Sequence, residues 1–154
     1  MPTFTTKRAV PFTQSQMYAV VADIERYPEF LPMCTGLTVT SREVVADGEN
    51  LIAKMSVGYK QISETFTTRV QLRPADLHID AQYLDGPFKR LDNRWRFEAA
   101  AGGGSVVDFY ISYEFKSAML GLLVGSVFDQ AFRKFTEAFE ARARQIYGTP
   151  QAAV

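Results

Sequence analysis

The chain is poor in the residues that build reactive or cross-linked sites. Its 154 residues include one cysteine, Cys34, and one histidine, His78. A lone cysteine excludes an internal disulfide and points to a reducing compartment. With one histidine beside it, nearly every His/Cys zinc site is excluded, and no metal is expected. Alternation puts His78 on the polar side of its segment, between Leu77 and Ile79, so it reads as exposed rather than catalytic, and no catalytic residue is assigned. An excess of one charge is also missing: 17 Lys plus Arg balance 17 Asp plus Glu. That weakens wholesale attraction to nucleic acid, and DNA is not an expected partner. No apolar run is long enough for the about 20 residues of a spanning helix; the apolar uncharged stretch Ser117 to Phe128 has 12. The N-terminus shows neither an apolar signal core nor an Arg-rich presequence, and Thr3-Phe4-Thr5-Thr6 reads at once as a strand. A bacterial-type cytoplasm is the expected location, and a processed organelle protein would read the same.

At 47% hydrophobic and 22% charged residues the chain is globular. One domain over 1–148, with a flexible tail over 149–154, accounts for its length. A strand from Thr3 to Val10 is followed by Thr13-Gln14-Ser15-Gln16, a capping box opening a short helix. Pro28 and Pro32 bend the chain into a corner carrying Tyr27, Phe30, Leu31 and Met33. From Leu37 to Lys116 the apolar period is two, broken by turns at Asp47-Gly48-Glu49-Asn50, Pro74-Ala75-Asp76, Asp85-Gly86-Pro87 and Gly102-Gly103-Gly104. A helix from Ser117 to Ile146 closes the chain, with Phe128, Phe132, Phe135 and Phe139 stepping by three and four. Consecutive strands joined by tight turns predict an antiparallel sheet with one wet face, covered on the other mainly by the long helix: an α+β fold.

Seven such strands make a sheet about 30 Å wide, and a helix covers only about 10–12 Å. The inner face of the sheet is rich in large residues: Met55, Phe66, Tyr83, Leu91, Trp95, Phe97, Phe109 and Tyr113. Either these collapse into a solid core or they line a pocket at one end of the helix. The first half of the helix is apolar nearly all round, which marks a partner, a membrane surface, a pocket mouth, or a face covered by the short helices.

The segment Val21-Ala22-Asp23-Ile24-Glu25-Arg26-Tyr27-Pro28-Glu29-Phe30-Leu31-Pro32 resembles the signature of the coenzyme Q-binding START-domain family, a branch of the helix-grip (polyketide cyclase and Bet v 1-like) superfamily. Val57-Gly58, Gly86-Pro87-Phe88 and Phe135 through Tyr147 agree with it. Met33 departs from it, standing where a tryptophan is expected. The resemblance implies a helix-grip fold: a seven-stranded curved antiparallel sheet around a long C-terminal helix, with two short helices after the first strand. It implies a cavity for a polyprenyl quinone, ubiquinone or a similar isoprenoid lipid, a role in respiration or quinone biosynthesis, and no catalysis. The superfamily also holds a toxin that blocks ribosomal subunit association, which leaves the ribosome as an alternative partner, and cyclases, which leave a cyclase-type enzyme as another alternative.

On this reading the ligand-binding residues are Phe30 and Leu31 at the corner, Met55, Val57, Phe66 and Tyr83 on the middle strands, and Phe88, Leu91, Trp95 and Phe97 on the sixth. Phe109 and Tyr113 join them from the seventh strand, and Leu123 and Val127 from the helix. Glu64 and Asn93 are candidate headgroup contacts, or polar positions at the rim. Leu120 and Val124 are expected to touch a membrane, with the protein peripheral at the inner membrane. Lys89, Arg90, Arg94 and Arg96 form a basic cluster that keeps the ribosome reading open. Asp23, Glu25 and Glu29 read as helix-end charges pairing with Arg26, and Cys34 as a small buried residue. A monomer is expected.

Overall fold

The computed structural model describes residues 3–148; the tail expected over 149–154 lies outside them. The period-two segments form seven strands: β1 Thr3–Val10, β2 Cys34–Val45, β3 Gly48–Tyr59, β4 Ile62–Arg73, β5 His78–Asp85, β6 Phe88–Ala99 and β7 Ser105–Phe115. Their order is β1-β7-β6-β5-β4-β3-β2, with every neighbouring pair antiparallel. Helix α1 (Gln14–Ala22) and a 3-10 turn (Ile24–Glu29) separate β1 from β2, and α2 (Ala118–Arg133) and α3 (Phe135–Tyr147) follow β7. Thr13 caps α1 in both directions, its Oγ1 accepting from the Gln16 N–H at 3.1 Å while Gln16 Oε1 accepts from the Thr13 N–H at 2.9 Å.

The sheet curls around the helices, and bulges help to bend it. Irregular register falls at Cys34/Gly36 and Val39/Ser41 in the β2–β3 pair, at Thr67/Thr68 between β4 and β5, and at Phe88/Arg90 between β6 and β7. The β5–β6 hairpin closes tightly over β4. Gly86 has φ +141°, and a Cβ there would lie 2.6 Å from that of Phe66. The first hairpin is tighter than the sequence suggests. Val45 pairs with Gly48, so the turn is Ala46-Asp47 and Gly48 opens β3. A Cβ on Gly48 would lie 1.8 Å from the Leu72 carbonyl oxygen, so no larger residue fits.

Two expectations about the C-terminal helix need correction. It is not one rod from Ser117 to Ile146 but two helices meeting at Lys134, whose N–H bonds the Ala131 carbonyl at 3.0 Å in a tightened turn. Tightening brings residues three apart toward one face. Phe132 and Phe135 therefore both turn to the sheet, with ring centroids 5.3 Å apart at 88°. The rotation of α2 also differs. Leu120 packs against the core, and Val124 (1% exposed), Phe128 (4%) and Phe132 (7%) follow it at steps of four. Leu120 and Val124 thus face inward rather than toward a membrane. Leu123, expected in the pocket, is 64% exposed and Val127 is only partly buried. The phenylalanines fix the phase, because they bury the most apolar area per residue. No helix among the described residues is long and apolar enough to cross a membrane.

Candidate functional site

Large aromatic residues gather at two ends of the space between sheet and helices. At one end Phe88 is the hub, with ring centroids 4.9 Å from Phe115, 5.4 Å from Phe66, 5.7 Å from Tyr83, 6.1 Å from Tyr113 and 6.2 Å from Phe128. At the other, Trp95 lies 4.5 Å from Phe109 and 5.0 Å from Phe139, and Phe139 lies 5.2 Å from Tyr27. Phe132 and Phe135 link the two groups along the helices, at 5.1 Å from Tyr113 and 6.1 Å from Phe109, and beside them a cavity of about 90 Å³ remains. Of the open alternatives, solid core or pocket, the molecule therefore contains both: packed ends and an unfilled middle.

Of the residues expected at the ligand site, Leu31, Met55, Val57, Phe66, Leu91, Asn93 and Trp95 line this cavity. The others lie elsewhere. Phe88, Phe97, Phe109 and Tyr113 are buried in the packed ends and support the wall from behind. Tyr83 leans on Phe88, its hydroxyl accepting from the Phe88 N–H at 3.0 Å. Phe30 is not at a mouth: it packs 5.3 Å from the Phe139 ring, with the Arg142 guanidinium 5.2 Å from its own centroid. Glu64 is outside the cavity as well. It borders a narrow gap of about 10 Å³, with Tyr59, Ile62 and Val124, that shares Met33, Val57 and Phe128 with the cavity wall.

Sequence reasoning missed Thr68, Val70, Ile79, Ala81 and Ile111 on the sheet, and Phe128, Ala131, Phe132, Phe135 and Phe139 on the helices, as wall residues. The strand positions share the inner face by alternation with the larger residues named for the ligand site. The corner Tyr27 to Met33 is held against β3 by the Gly58 N–H, which donates to the Met33 carbonyl at 2.9 Å. This joins two of the segments that carry the family resemblance. It also places Met33, at φ +66°, in the cavity wall.

Among the described residues no charged side chain lines the cavity. Its polar groups are few and mostly engaged. The Tyr27 hydroxyl donates to the Val21 carbonyl, and burial pushes its pKa upward. Trp95 Nε1 donates to Asn93 Oδ1 at 3.2 Å, and Asn93 Nδ2 donates to the Tyr110 carbonyl at 3.0 Å. Thr68 is 7% exposed, and its hydroxyl has no hydrogen-bond partner among the described residues. Cys34 is 6% exposed, and burial pushes its thiol up to about 11, so it stays protonated and inert at neutral pH. Among the described residues no group of His, Cys, Asp or Glu is arranged to hold a metal.

The basic cluster on β6 is neutralised where it stands. Arg94 meets Asp92 at 2.7 Å and Arg96 meets Asp80 at 2.8 Å, while Lys89 and Arg90 each lie 3.9 Å from Glu114. The outer face of α2 is different in kind: Met119 is 71% exposed and Leu122 88%. Gly121 and Gly125 are not forced by close packing there, since a Cβ on Gly121 would come no nearer than 3.6 Å to Phe115 and one on Gly125 would meet nothing within 4 Å.

A curved antiparallel sheet gripping C-terminal helices over an apolar cavity defines a helix-grip protein. Residues 10–140 match the family described as polyketide cyclase / dehydrase and lipid transport, and the chain belongs to that family. It is 35% identical over 147 residues to the ribosome association toxin RatA of Escherichia coli K12, covering 96% of this chain and 90% of that protein. It is 31% identical over 150 residues to the mitochondrial coenzyme Q-binding protein COQ10 homolog B of Xenopus laevis, covering 94% of this chain and 59% of that one. The solution structure of an 18 kDa Caulobacter crescentus protein superposes with a TM-score of 0.79 at 36% identity, covering 97% of this chain and 100% of that one.

Proposed function

We propose that the protein binds an isoprenoid quinone, ubiquinone or a close relative, and carries it without transforming it. The observation that carries this reading is the cavity: an unfilled apolar space without a charged wall residue, in a core otherwise packed with aromatic rings. Filled cores are the rule, and an apolar void forfeits contact energy unless something occupies it. The similarity to a protein named for coenzyme Q binding supports the choice of ligand. Binding works by burial, worth about 0.8 kcal/mol for each CH₂ withdrawn from water. Among the described residues the wall offers no carboxylate, imidazole or amine for proton transfer, which favours carriage over cyclase chemistry.

The cargo dissolves in bilayers, so the reading includes a peripheral contact between a monomer in the cytoplasm and the inner membrane. Met119, Leu122 and Leu123 are the apolar residues exposed for it. The test is to purify the protein from membranes containing quinone, extract it, and identify co-purified lipid by mass spectrometry, with flotation on anionic vesicles in parallel. A stoichiometric quinone and flotation that falls on Leu122→Ser support the reading. Lipid-free protein that neither binds added quinone nor floats rejects it.

A second reading, binding to a ribosomal subunit, rests on the 35% identity to proteins named ribosome association toxins. The paired arginines of β6 argue against binding driven by that strand's charge alone. Co-sedimentation with purified subunits, with and without bound quinone, separates the two readings.

A further inference from the structure

The cavity wall is not uniformly apolar, and the few groups that break it are arranged unequally. Asn93 on β6 is locked. Trp95 Nε1 can only donate and the Tyr110 carbonyl can only accept, so the amide has one orientation. An amide carries two N–H donors and two acceptor lone pairs, so one N–H and one lone pair remain after those bonds. Thr68 on β4 is more than nine-tenths buried, lines the same cavity, and has a hydroxyl without a partner among the described residues. The two stand on either side of β5: Ala81 pairs with Asn93 on one side and with Val70, two residues from Thr68, on the other. Ala81 is the small residue between them, and it too lines the cavity.

We propose that Asn93 and Thr68 are polar contacts that recognise the carbonyl oxygens of an uncharged ring, with the ring held inside and its hydrocarbon tail leaving beside α2. This rests on the ligand-carrier reading above and adds the class of headgroup and its orientation. Standing two strands apart, the two suit different oxygens of one ring: one carbonyl accepts from the spare Asn93 N–H and the opposite one from the Thr68 hydroxyl, whose rotor adapts. A carboxylate or phosphate would enter without a cation to meet it, so charged lipids are disfavoured. Size points the same way. An engineered cavity of about 150 Å³ takes benzene, and the space here is about 90 Å³. The space is smaller than that, so one ring enters only as its neighbours move aside, and a ring together with a prenyl chain does not fit. The narrow gap that shares Met33, Val57 and Phe128 with the cavity opens between the β3–β4 hairpin and α2, on the helix whose outer face is apolar, and is the route for the tail.

The test compares two probes of equal tail, a decyl-substituted benzoquinone and decylbenzene, followed by the indole N–H resonance of Trp95, the sole tryptophan. The quinone is expected to bind at least about tenfold more tightly, the worth of one to two hydrogen bonds. Thr68→Val, which keeps the shape and removes the hydroxyl, is expected to cut that preference about threefold to tenfold. Asn93→Leu, followed by calorimetry because it removes the acceptor of the Trp95 N–H, is expected to act in the same direction, and decylbenzene affinity is expected to stay within about twofold in the isosteric Thr68→Val. Equal affinity of the two probes for the unmodified protein overturns the polar recognition while leaving the carrier reading intact, and needs no variant to fold. Equal loss of both probes in Thr68→Val overturns it too, since that marks a packing role. Failure of both probes to bind the unmodified protein overturns the carrier reading, and the polar recognition with it.

Discussion

Helices α2 and α3 follow one another across Lys134 and bury phenylalanines against the same sheet, yet their outer faces obey opposite rules. On α3 the surface is charged and tied down. Arg8 of β1 reaches Glu140 at 2.7 Å, Arg144 joins the same carboxylate at 3.1 Å, and Arg142 meets Glu29 of the 3-10 turn at 2.9 Å. On α2 the charged side chains, Asp129 and Arg133, pair with each other in the last turns, and Met119, Leu122 and Leu123 stand in solvent. A helix that served packing alone would carry polar residues there. The difference teaches that α3 anchors the fold, while α2 leaves its apolar outer surface uncovered.

The largest expected effects come from the inner faces, where the two helices should behave alike. Phe139→Ala on α3 removes a fully buried ring between Trp95, Tyr27 and Phe30, and urea denaturation should show a loss of about 3–5 kcal/mol. Val124→Lys on α2 places a charge at a site 1% exposed and should cost a similar about 3–5 kcal/mol. Leu122→Lys, two residues earlier, should stay within about 0.5 kcal/mol. If Leu122→Lys proved as damaging as Val124→Lys, the outer face of α2 would be core, and the contrast would collapse.

Phe30→Ala sharpens the comparison at the corner. Because Phe30 packs on α3 rather than lining the cavity, the expected outcome is a stability loss of about 2 kcal/mol. Ligand affinity of the folded protein should be unchanged. Smaller again is Arg8→Ala, which frees the β1 end of the anchor. About 1 kcal/mol should be lost, and the loss should shrink at high salt because Arg8 is partly exposed.

The smallest effect concerns dryness beneath the corner. Burial raises Cys34 from its ordinary 9.0 to about 11. The folded protein therefore holds this proton longer than the unfolded chain does. The resulting stabilisation is fully present below pH 9 and is lost as the pH rises toward 11. Tyr113, packed under Phe132 and raised by burial to about 12, adds to the alkaline loss in the same direction. At pH 8 a thiol reagent should modify Cys34 only as fast as the protein opens. Rapid modification of the native protein would show that the corner is wet.

Much of this architecture is legible along the chain because its signals are local. Alternation at period two named the strands, Thr13 and Gln16 marked the start of α1, and the paired prolines marked the corner. Six of the strand residues proposed for the ligand site do line the cavity, because facing inward is a property of the strand pleat. Phe88, Phe97, Phe109 and Tyr113 face inward equally and yet fill space instead of bounding it. Whether a gap survives next to an inward residue depends on what arrives from the opposite helix and from the strands beside it, and alternation carries no record of those.

The rotation of α2 shows the same limit more sharply. From Ser117 to Phe128 no charge marks the wet side, so the pattern tolerates several phases that differ by one residue, about 100° of turn. Phe128 and Phe132, docking on Tyr113 and Phe115, select one phase, bury Val124 and leave Leu123 outside. The carboxylates that neutralise Arg96 and Arg90 likewise come from neighbouring strands, Asp80 on β5 and Glu114 on β7. Local periodicity establishes which elements form and which way each strand faces. Helix phase, ion pairing and empty volume are sums over segments far apart in sequence, and they acquire values only when the sheet has closed around the helices.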